Sequence, residues 1–550
     1  MIKHIRLLAI LGLLLGGNHL LAKVELTRLF CDHMVMQRNM KVPVWGWADP
    51  GEEITVSIDK QVKSGRADAT GKWMIVLNPM ETGEPRKMTV RGKTETLEVN
   101  DILLGEVWIC AGQSNMEREL SQVQNGKAEV AAAEYPNIRF FQVGNAGSPD
   151  APVDRLTVRG SAKAIWVPCS PRTASGFSAV GYFFARDLIA SLKVPVGLIH
   201  NSVGATPAEA WLSRDAMLAD PDLKYLVERS DRRVAYALSP EGKKELDAVF
   251  AEYDAKQAEA RAAGGWFWRS DLYQEPKKQL SYPANYFNGR VNPLIPYAIR
   301  GVIWYQGEAN TGMAYSYRQL FSVLIKDWRT RWGQGDFAFL YVQLANWGQP
   351  SRSPVPSDWA ELRESQLKTL SVPNTAMAVS IDIGQGGDIH AKNKQDVGKR
   401  LALAARAKVY NERIVYSGPI YSSMKVEGSV IRLTFTQTGS GLMAGKKVDL
   451  DPVIENTEAG LKSFEIAGED KRFVWATATI EGNSVVVKSD AVPQPVAVRY
   501  AWATNPADCN LYNKEGLPAS PFRTDEWPGR TTDKTYKLQL DRPITFVIKK

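Results

Sequence analysis

A serine at the end of an apolar run is the first residue whose position favours chemistry. Residues 107–116 read Val-Trp-Ile-Cys-Ala-Gly-Gln-Ser-Asn-Met, and the run breaks at Gly112 just before Ser114. A strand, a sharp turn and a helix in this order would expose the Ser114 hydroxyl near a helix N-terminus, which favours a developing negative charge. The segment lacks the Gly-x-Ser-x-Gly elbow of common lipases, and a serine after a glycine is also typical of a turn or N-cap. Ser114 is therefore a candidate nucleophile that needs partners elsewhere in the chain.

A nucleophilic serine needs a base that titrates near neutral pH, which is usually a histidine. Beyond the first 22 residues the chain has His33, His200 and His390. His33 lies in a β-rich segment and is predicted to be structural, and His200 ends an apolar run where packing explains it equally well. His390 lies in a glycine-rich loop, two residues after Asp388 and just before a predicted helix. This loop is the best position for a base with its own orienting acid.

Two further segments offer groups that could bind an oxyanion. Gly204 follows the His200 strand, where a glycine permits close approach of the backbone and offers an N–H, although a plain turn explains it equally well. Residues 304–310 place the amides of Gln306 and Asn310 and the carboxylate of Glu308 directly after a predicted strand. A side-chain amide can complete an oxyanion hole.

Apolar strands that alternate with amphipathic helices between about residues 101 and 410 predict how these groups are positioned. Such a pattern predicts an α/β domain with a parallel, doubly wound sheet, in which reacting groups collect at the carboxyl ends of the strands. Ser114, His200, Gln306 and His390 all follow predicted strands. These strands are 107–111, 196–200, 301–305, 339–344 and 376–381.

The remaining regions have different patterns. Residues 23–100 alternate apolar and polar positions between turn signals, which predicts a small β-sandwich. Residues 411–550 are again β-rich. Residues 213–285 interrupt the α/β alternation and are expected to form an insertion with an amphipathic helix. For the aromatic loop 264–268 in this insertion, anchoring to its own core is favoured over stacking on a sugar.

Composition and charge exclude several classes of protein. The chain has 550 residues, of which 44% are hydrophobic and 23% charged, as in an ordinary globular protein. Residues 1–22 resemble a signal peptide with cleavage near Ala22, so the mature protein is expected to be periplasmic or secreted, without a membrane span. Without this segment the net charge falls from +8 to +6 and no basic block remains, which gives no support for nucleic-acid binding. The four scattered cysteines and few histidines lack metal-ligand spacing, so no metal or other cofactor is expected.

Taken together in chain order, these motifs resemble a known family. Gly112-Gln-Ser-Asn-Met116, then Gly204, then residues 304–308, then Asp388-Ile-His390 match the ordered blocks of SGNH-type carbohydrate esterases, and most closely those of the sialate O-acetylesterase family. The resemblance runs from about Val24 to the C-terminus and includes residues 287–289 and 392–398. It implies a flavodoxin-like catalytic domain with β-rich accessory regions. It also implies metal-independent removal of acetyl esters from sugars, often the 9-O-acetyl group of sialic acid.

The resemblance also implies roles for individual residues. Ser114 would be the nucleophile, His390 the base and Asp388 the acid that orients the imidazole. The oxyanion hole would be formed by the backbone N–H groups of Ser114 and Gly204 and by the side-chain amide of Gln306.

Two departures from the family pattern leave alternatives open. The general pattern has its acid three residues before the histidine, where this chain has Gly387, so Glu308, Asp382 or a backbone carbonyl could orient the imidazole instead. The chain also has Gln306 where the wider superfamily has an asparagine, so Asn310 is an alternative oxyanion donor.

The expected function is that of an exported serine esterase that removes O-acetyl groups from sugars, in the first place 9-O-acetylated sialic acids. Acetylated xylan or another acetylated glycan is the alternative substrate. A further alternative, from another class, is an inactive carbohydrate-binding protein, which the intact Ser114 and His390 disfavour. Hydrolysis of a simple chromogenic acetate ester would separate the two classes.

Overall fold

The N-terminal region is built from two groups of mainly antiparallel strands, and β2 pairs in parallel with β8. The computed structural model describes residues 23–144, 149–157, 164–456, 458 and 460–546, so the predicted signal peptide lies outside the described residues. One sheet has the order β1-β3-β6, and in the other β4 pairs with β5 and β7, and β7 with β8. Alternate side chains of β4 and β6 are buried, as the sequence predicts for strands with one buried face. The strands are β1 (Glu25–Leu26), β2 (Val35–Gln37), β3 (Val42–Trp47), β4 (Glu53–Ile58), β5 (Gln61–Arg66), β6 (Lys72–Leu77), β7 (Arg86–Arg91) and β8 (Thr96–Gly112).

Strand β8 joins the N-terminal region to the central sheet without a break. It is 17 residues long, and its first part pairs with β7 while its last part lies between two parallel strands. The predicted boundary near residue 100 therefore falls inside a continuous strand. Because β8 belongs to both regions and ends just before Ser114, it fixes the N-terminal region relative to the central sheet.

The central sheet is parallel apart from one edge strand. Its order is β10-β9-β11-β8-β12-β13-β14, and only β10 runs antiparallel to its neighbour. In the register of the sheet, Ser202 and Tyr305 both lie beside Gly112, so three neighbouring strands end at one level. The five predicted strands of this region correspond to β8 and β11–β14. The further strands are β9 (Tyr135–Gln142), β10 (Trp166–Cys169), β11 (Val196–Ser202), β12 (Gly301–Tyr305), β13 (Ala338–Val342) and β14 (Thr375–Ala378).

Two pairs of long helices accompany this sheet. Helix α4 packs against α10, and α8 packs against α9. The predicted apolar face of α4, which includes Val180, Phe183 and Leu188, is fully buried. The helices are α1 (Ser114–Glu117), α2 (Gly126–Ala131), α3 (Pro171–Ala174), α4 (Ala179–Leu192), α5 (Arg214–Ala219), α6 (Lys224–Leu238), α7 (Pro240–Ala262), α8 (Ala314–Trp332), α9 (Asp358–Lys368), α10 (Lys394–Lys408) and α11 (Tyr536–Leu540).

The interruption between residues 213 and 285 is helical and has a small core of its own. Leu246, Val249 and Tyr253 of α7 are buried in it, as the amphipathic pattern predicts. In the aromatic loop, Phe267 packs on Tyr253 with 6.0 Å between ring centroids. The two flanking residues, Trp266 and Trp268, are each about two-thirds exposed. Anchoring therefore describes the central ring of this loop and not its neighbours.

The C-terminal region is β-rich, as predicted. Its sheets have the orders β15-β16-β22-β21, β18-β17-β24 and β20-β19-β23-β25. Within the described part of the chain, no helix is long and apolar enough to span a membrane. The strands are β15 (Ile420–Glu427), β16 (Val430–Thr436), β17 (Leu442–Lys446), β18 (Ile454–Glu455), β19 (Phe464–Ala467), β20 (Val474–Trp475), β21 (Thr477–Glu481), β22 (Ser484–Lys488), β23 (Ala497–Tyr500), β24 (Leu511–Asn513) and β25 (Phe522–Arg523).

Candidate active site

Ser114 and His390 meet at the carboxyl edge of the central sheet, although 276 residues separate them. Ser114 Oγ lies 3.0 Å from His390 Nε2. Ser114 opens α1 directly after β8, and Gly112 makes the turn with φ +132°. A Cβ on Gly112 would lie 2.2 Å from the carbonyl oxygen of Tyr305, so only glycine fits where the chain leaves the sheet. The distance between the two side chains is short enough for direct proton transfer.

Asp388 stands behind the imidazole. Its Oδ1 lies 3.4 Å from His390 Nδ1 and accepts a 2.8 Å hydrogen bond from the His390 backbone N–H. That backbone hydrogen bond is the main reason why the pKa of Asp388 is lowered, so the group is anionic at neutral pH. Partial burial and the charge of Arg118 lower the pKa of His390, and Asp388 opposes them. His390 is thus a neutral base at neutral pH with a carboxylate beside its second nitrogen.

The other acids considered from the sequence have different partners. Both oxygens of Asp382 bind the Arg400 guanidinium, at 2.6 and 2.8 Å. Glu308 accepts a 2.6 Å hydrogen bond from the side chain of Asn115. Of the three candidate carboxylates, Asp388 is the one for which the structure shows an interaction with His390.

Asn115 connects the segment of the serine to the segment of the histidine. Its Nδ2 donates to Glu308 Oε1 at 2.6 Å and to the Ile389 carbonyl at 3.1 Å, and its Oδ1 accepts from Lys394 Nζ. These hydrogen bonds are shielded from solvent, because Asn115 is only 1% exposed. Asn115 follows Ser114 and Ile389 precedes His390, so one hydrogen bond joins the segments that carry these two residues.

Sequence reasoning missed this group of residues as a functional unit. Asn115 and Lys394 lie within the motifs that resemble the family, but the sequence alone indicates no role for them. Burial lowers the pKa of Lys394 to about 7, against the opposing charge of Glu308. Burial also raises the pKa of Glu308, one of whose oxygens has no hydrogen-bond partner among the described residues. Lys394 opens α10, where the helix dipole disfavours a cation, and this was the signal that could have indicated a buried polar contact.

Gly204 lies against the serine. A Cβ on Gly204 would lie 3.5 Å from Ser114 Cβ and 3.1 Å from Glu117 Oε2. The Gly204 backbone N–H interacts with the Glu117 carboxylate, whose pKa is nevertheless raised, chiefly by burial. The predicted oxyanion donor is therefore close to Ser114 and has an acidic neighbour in the structure described.

The amides of Gln306 and Asn310 are bonded to groups other than Ser114. Gln306 Nε2 donates to the Thr206 carbonyl at 3.2 Å and to Asn310 Oδ1 at 2.7 Å. Asn310 Nδ2 donates to Glu209 at 2.8 Å. Both side chains are buried and lie under the Gly204 loop and the strand β12, where they link the two.

His200 and His33, the other histidines in the described part of the chain, have structural partners. His200 is buried inside β11, and its Nε2 lies 2.6 Å from Ser202 Oγ. Burial and the charge of Arg290 lower the pKa of His200 to about 3, so this ring stays neutral. His33 pairs with Asp101 at 2.6 Å in the N-terminal region. Among the residues that the structure describes, no group of three or more His, Cys, Asp or Glu side chains is placed to hold a metal ion.

Comparison with known proteins identifies the family. Residues 266–407 match the family model for a carbohydrate esterase, the sialic acid-specific acetylesterase. The sialate O-acetylesterase of Mus musculus is 30% identical over 540 residues, which are 89% of this chain and 92% of the mouse protein. The human protein of the same name is 29% identical over 551 residues, 91% of this chain and 93% of its own.

A solved structure agrees with these sequence matches over nearly the whole chain. A carbohydrate acetylesterase from Xanthomonas citri superposes with a TM-score of 0.75 at 37% identity, and the match covers 92% of this chain and 100% of that one. The parallel sheet and the β-rich flanking regions are therefore parts of one shared architecture. By the identity and coverage of its relatives, the chain belongs to the sialate O-acetylesterase family and is a carboxylic ester hydrolase.

Proposed function

We propose that this enzyme removes O-acetyl groups from sugars through an acetyl-enzyme formed on Ser114. The 3.0 Å contact between Ser114 Oγ and His390 Nε2 carries the proposal, because it joins a nucleophile to a base with a pKa suited to neutral pH. The names of the mouse and human relatives and of the Xanthomonas structure support acetylated sugars as substrates.

The reaction follows from the order of these groups. Ser114 Oγ attacks the acetyl carbonyl carbon while His390 Nε2 takes the hydroxyl proton. Asp388 stabilises the imidazolium that forms and holds its second nitrogen. The imidazolium then protonates the sugar oxygen, which leaves as the free hydroxyl. A water molecule, deprotonated by His390, then attacks the acetyl-enzyme; the bond to Ser114 Oγ breaks, the imidazolium returns the proton to Oγ, and acetate is released.

The oxyanion is assigned to donors around the start of α1. The Ser114 N–H occupies the first position of a helix, where no intrahelical acceptor exists. The Gly204 N–H lies beside it and turns from the Glu117 carboxylate to the oxyanion as the tetrahedral intermediate forms. Gln306 is the third donor and exchanges its hydrogen bond to the Thr206 carbonyl for this role, with Asn310 as the alternative.

Asn115 acts as a positioning residue in this proposal. It touches neither the substrate nor the transferred proton. Its hydrogen bond to the Ile389 carbonyl fixes the separation of the two segments that carry Ser114 and His390. Lys394 and Glu308 fix the orientation of the Asn115 amide, because an ammonium can only donate to its oxygen and a carboxylate can only accept from its nitrogen.

Among sugars, we assign 9-O-acetylated sialic acids as the preferred substrate. Arg118 lies close enough to lower the pKa of His390, so a cation stands beside the reacting ester. A cation there favours a sugar that carries a carboxylate, such as sialic acid, over a neutral sugar. Acetylated xylan, the alternative, gains nothing from this charge. Acetate release from O-acetylated sialic acids and from acetylated xylo-oligosaccharides, compared at low ionic strength, tests the assignment.

The finer features expected from the sequence belong to the same proposal. The parallel strands and the paired helices support a doubly wound, flavodoxin-like catalytic domain, with residues 23–100 and 411–550 as accessory regions and 213–285 as an insertion. Export through a signal peptide over residues 1–22 suits an enzyme that meets glycans outside the cytoplasm. Mass measurement of the mature N-terminus tests the export.

The decisive experiment replaces the nucleophile. Ser114→Ala is expected to abolish hydrolysis of a chromogenic acetate ester while leaving the thermal unfolding curve unchanged, because the small side chain fits its site. Ser202→Ala is the matched control, since Ser202 also contacts a histidine. It is expected to retain activity while losing about 1–3 kcal/mol of stability, because a buried nitrogen of His200 loses its partner. Wild-type kcat in Ser114→Ala would refute the mechanism.

A further inference from the structure

A second cleft lies in the C-terminal region and has the size of a small-molecule site. Its volume is about 680 Å³, within the range of known ligand sites. Its walls come from the segment after Gly348, from β19 and β20, and from the loop that follows β23. The lining includes Pro350, Glu465, Trp475, Trp502 and Asn505.

A chain of hydrogen bonds links this cleft to the loop that carries His390. The Gly348 N–H donates to the Gly386 carbonyl at 3.1 Å, four residues before His390. On its other side the Gly348 carbonyl accepts from Asn505, which lines the cleft. Asn346 also bridges the two sides, because it donates to Asn505 at 2.9 Å and accepts from the Gly384 N–H at 2.8 Å. One loop therefore separates the cleft from the reacting residues.

Exposed indole rings stand along this path. Trp475 at the cleft is 43% exposed, and its Nε1 donates to the Arg352 carbonyl at 3.0 Å, which fixes the ring. Trp347, on the separating loop, is 36% exposed and packs on Trp359 with 5.2 Å between ring centroids. A fixed indole with a free face is an apolar platform with a polar edge, the kind of surface that fits the C–H face of a sugar ring.

Glu465 gives the cleft an unpartnered polar group. It is 2% exposed, it lines the cleft, and no described residue donates a hydrogen bond to its carboxyl group. The neighbouring Arg499 is bound by Asp525 at 2.8 and 2.9 Å. Burial raises the pKa of Glu465 to about 8, so the group is mainly a neutral acid at neutral pH, with one donor and one acceptor. A sugar hydroxyl matches both.

We propose that this cleft binds neutral sugar residues of the glycan whose acetyl group is removed at Ser114. The inference rests on the proposed function for its connection to that acetyl group, but the binding itself is independent of catalysis. The free face of Trp475 stacks on a sugar ring, and the Glu465 carboxyl exchanges hydrogen bonds with its hydroxyl groups. A neutral ligand fits because Glu465 is mainly uncharged and the other charged residues of the lining, Lys462 and Asp508, have opposite signs.

The test measures binding to the full chain with Ser114→Ala by isothermal titration calorimetry. The probes are unacetylated xylohexaose and lacto-N-tetraose, which are neutral, and free sialic acid as an anionic comparison. Trp475→Ala is expected to weaken binding of a neutral probe by about tenfold. Glu465→Met is expected to do the same, whereas Glu465→Gln, which keeps a donor and an acceptor, retains binding. Trp266→Ala is the matched control, because this tryptophan is also exposed to solvent but lies in the insertion.

The possible outcomes separate this inference from the proposed function. Binding of neither neutral probe, binding of sialic acid alone, or neutral binding that Trp475→Ala leaves unchanged would each overturn the inference. Hydrolysis of a chromogenic acetate by the otherwise wild-type enzyme is measured beside it, and Trp475→Ala is expected to leave that rate unchanged. Failure of the wild type to hydrolyse the ester would overturn the proposed function and leave the binding result standing.

Discussion

At the scale of single residues, two opposite charges act on the base. Partial burial contributes most to lowering the pKa of His390, and Arg118, four residues after Ser114, lowers it further. Asp388 acts in the other direction and raises it. In the proposed mechanism, His390 must be neutral to accept the proton of Ser114. The acid limb of the pH profile therefore reports the balance of these two charges.

Replacing Asp388 removes the negative charge and keeps the shape. In Asp388→Asn, the imidazolium loses its stabilising partner, so the pKa of His390 falls and the acid limb of kcat/KM moves to lower pH. We expect kcat to fall by about 10²–10⁴-fold, because the imidazole also loses the acceptor that holds its tautomer. The amide oxygen introduced at position 388 still accepts a hydrogen bond from the backbone N–H of His390, so the loop keeps its conformation. An unchanged kcat would instead indicate a backbone carbonyl as the group that orients the ring.

Replacing Arg118 is expected to shift the pKa of His390 in the opposite direction. In Arg118→Gln the cation no longer opposes protonation of the imidazole, so the pKa of His390 rises towards its ordinary value and the acid limb moves to higher pH. The measurement is kcat/KM against pH for a neutral chromogenic acetate at low salt, where the charge is least screened. Arg172→Gln, on the exposed surface of α3, is the control, because this residue is not among the charges that act on His390. A shift of the same size in both variants would contradict the assignment.

Much of the site was predictable from residue types and spacing, and part of it was not. The sequence predicts Ser114, His390 and Asp388 because each follows a strand or flanks a histidine in a glycine-rich loop. It does not predict that the amides of Gln306 and Asn310 bond to Thr206 and Glu209, because such bonds depend on where separate segments meet. For the same reason a pattern of residues cannot show that Asn115 reaches the Ile389 carbonyl across 274 residues of chain.

At the scale of elements, the site is a junction of strand ends and helix starts. Strands β8, β11 and β12 end at one level, α1 follows β8, and α10 follows the His390 loop. The apolar runs predicted these strands well, since buried parallel strands are continuous in hydrophobicity. They did not predict that β8 continues from residue 96, because its first half alternates and its second half does not. The change of pattern within this single strand is therefore interpreted, from the sequence, as a domain boundary near residue 100.

Asn115 holds this junction together, and its replacement tests the positioning role. In Asn115→Ala we expect kcat to fall by about 10²-fold with little change in KM, because a small displacement of Ser114 from His390 costs rate rather than binding. Asn115→Asp accepts from Lys394 but cannot donate to the Ile389 carbonyl, so it is expected to be equally impaired. The measurement is kcat and KM for the same ester, with the unfolding curve of each variant.

Asn393→Ala provides the matched control for that prediction. Asn393 caps α10 by accepting from the Asp396 N–H at 3.0 Å, and it lies next to Lys394 in sequence. Its loss is expected to cost about 1 kcal/mol of stability and to leave kcat within a few-fold of the wild type. Equal losses of kcat in Asn115→Ala and Asn393→Ala would mean that general destabilisation, and not positioning, explains the effect.

At the scale of the whole molecule, the C-terminal region is bonded to the catalytic sheet through buried polar groups. Gln343, just after β13, donates to Ser520 Oγ at 2.9 Å. Glu364 of α9 binds the Arg523 guanidinium at 2.9 and 3.1 Å. Buried polar contacts of this kind are costly to break from one side, because each leaves a group without its partner. The two regions are therefore expected to unfold together.

Arg363 is the sharpest test of that coupling. It is fully buried, and its guanidinium donates to four carbonyls, those of Leu344, Ala345, Ala503 and Thr504, which come from the catalytic and C-terminal regions. Burial lowers its pKa to about 9. Arg363→Met leaves these carbonyls without their donor, so we expect the free energy of unfolding to fall by about 2–5 kcal/mol. We also expect a single thermal transition, in which the near-ultraviolet circular dichroism signal and ester hydrolysis are lost together. Arg66→Met, which breaks an exposed pair with Glu53, is expected to cost less than about 1 kcal/mol. Two separate transitions in Arg363→Met, with activity surviving the first, would show that the catalytic sheet does not depend on the C-terminal region for its stability.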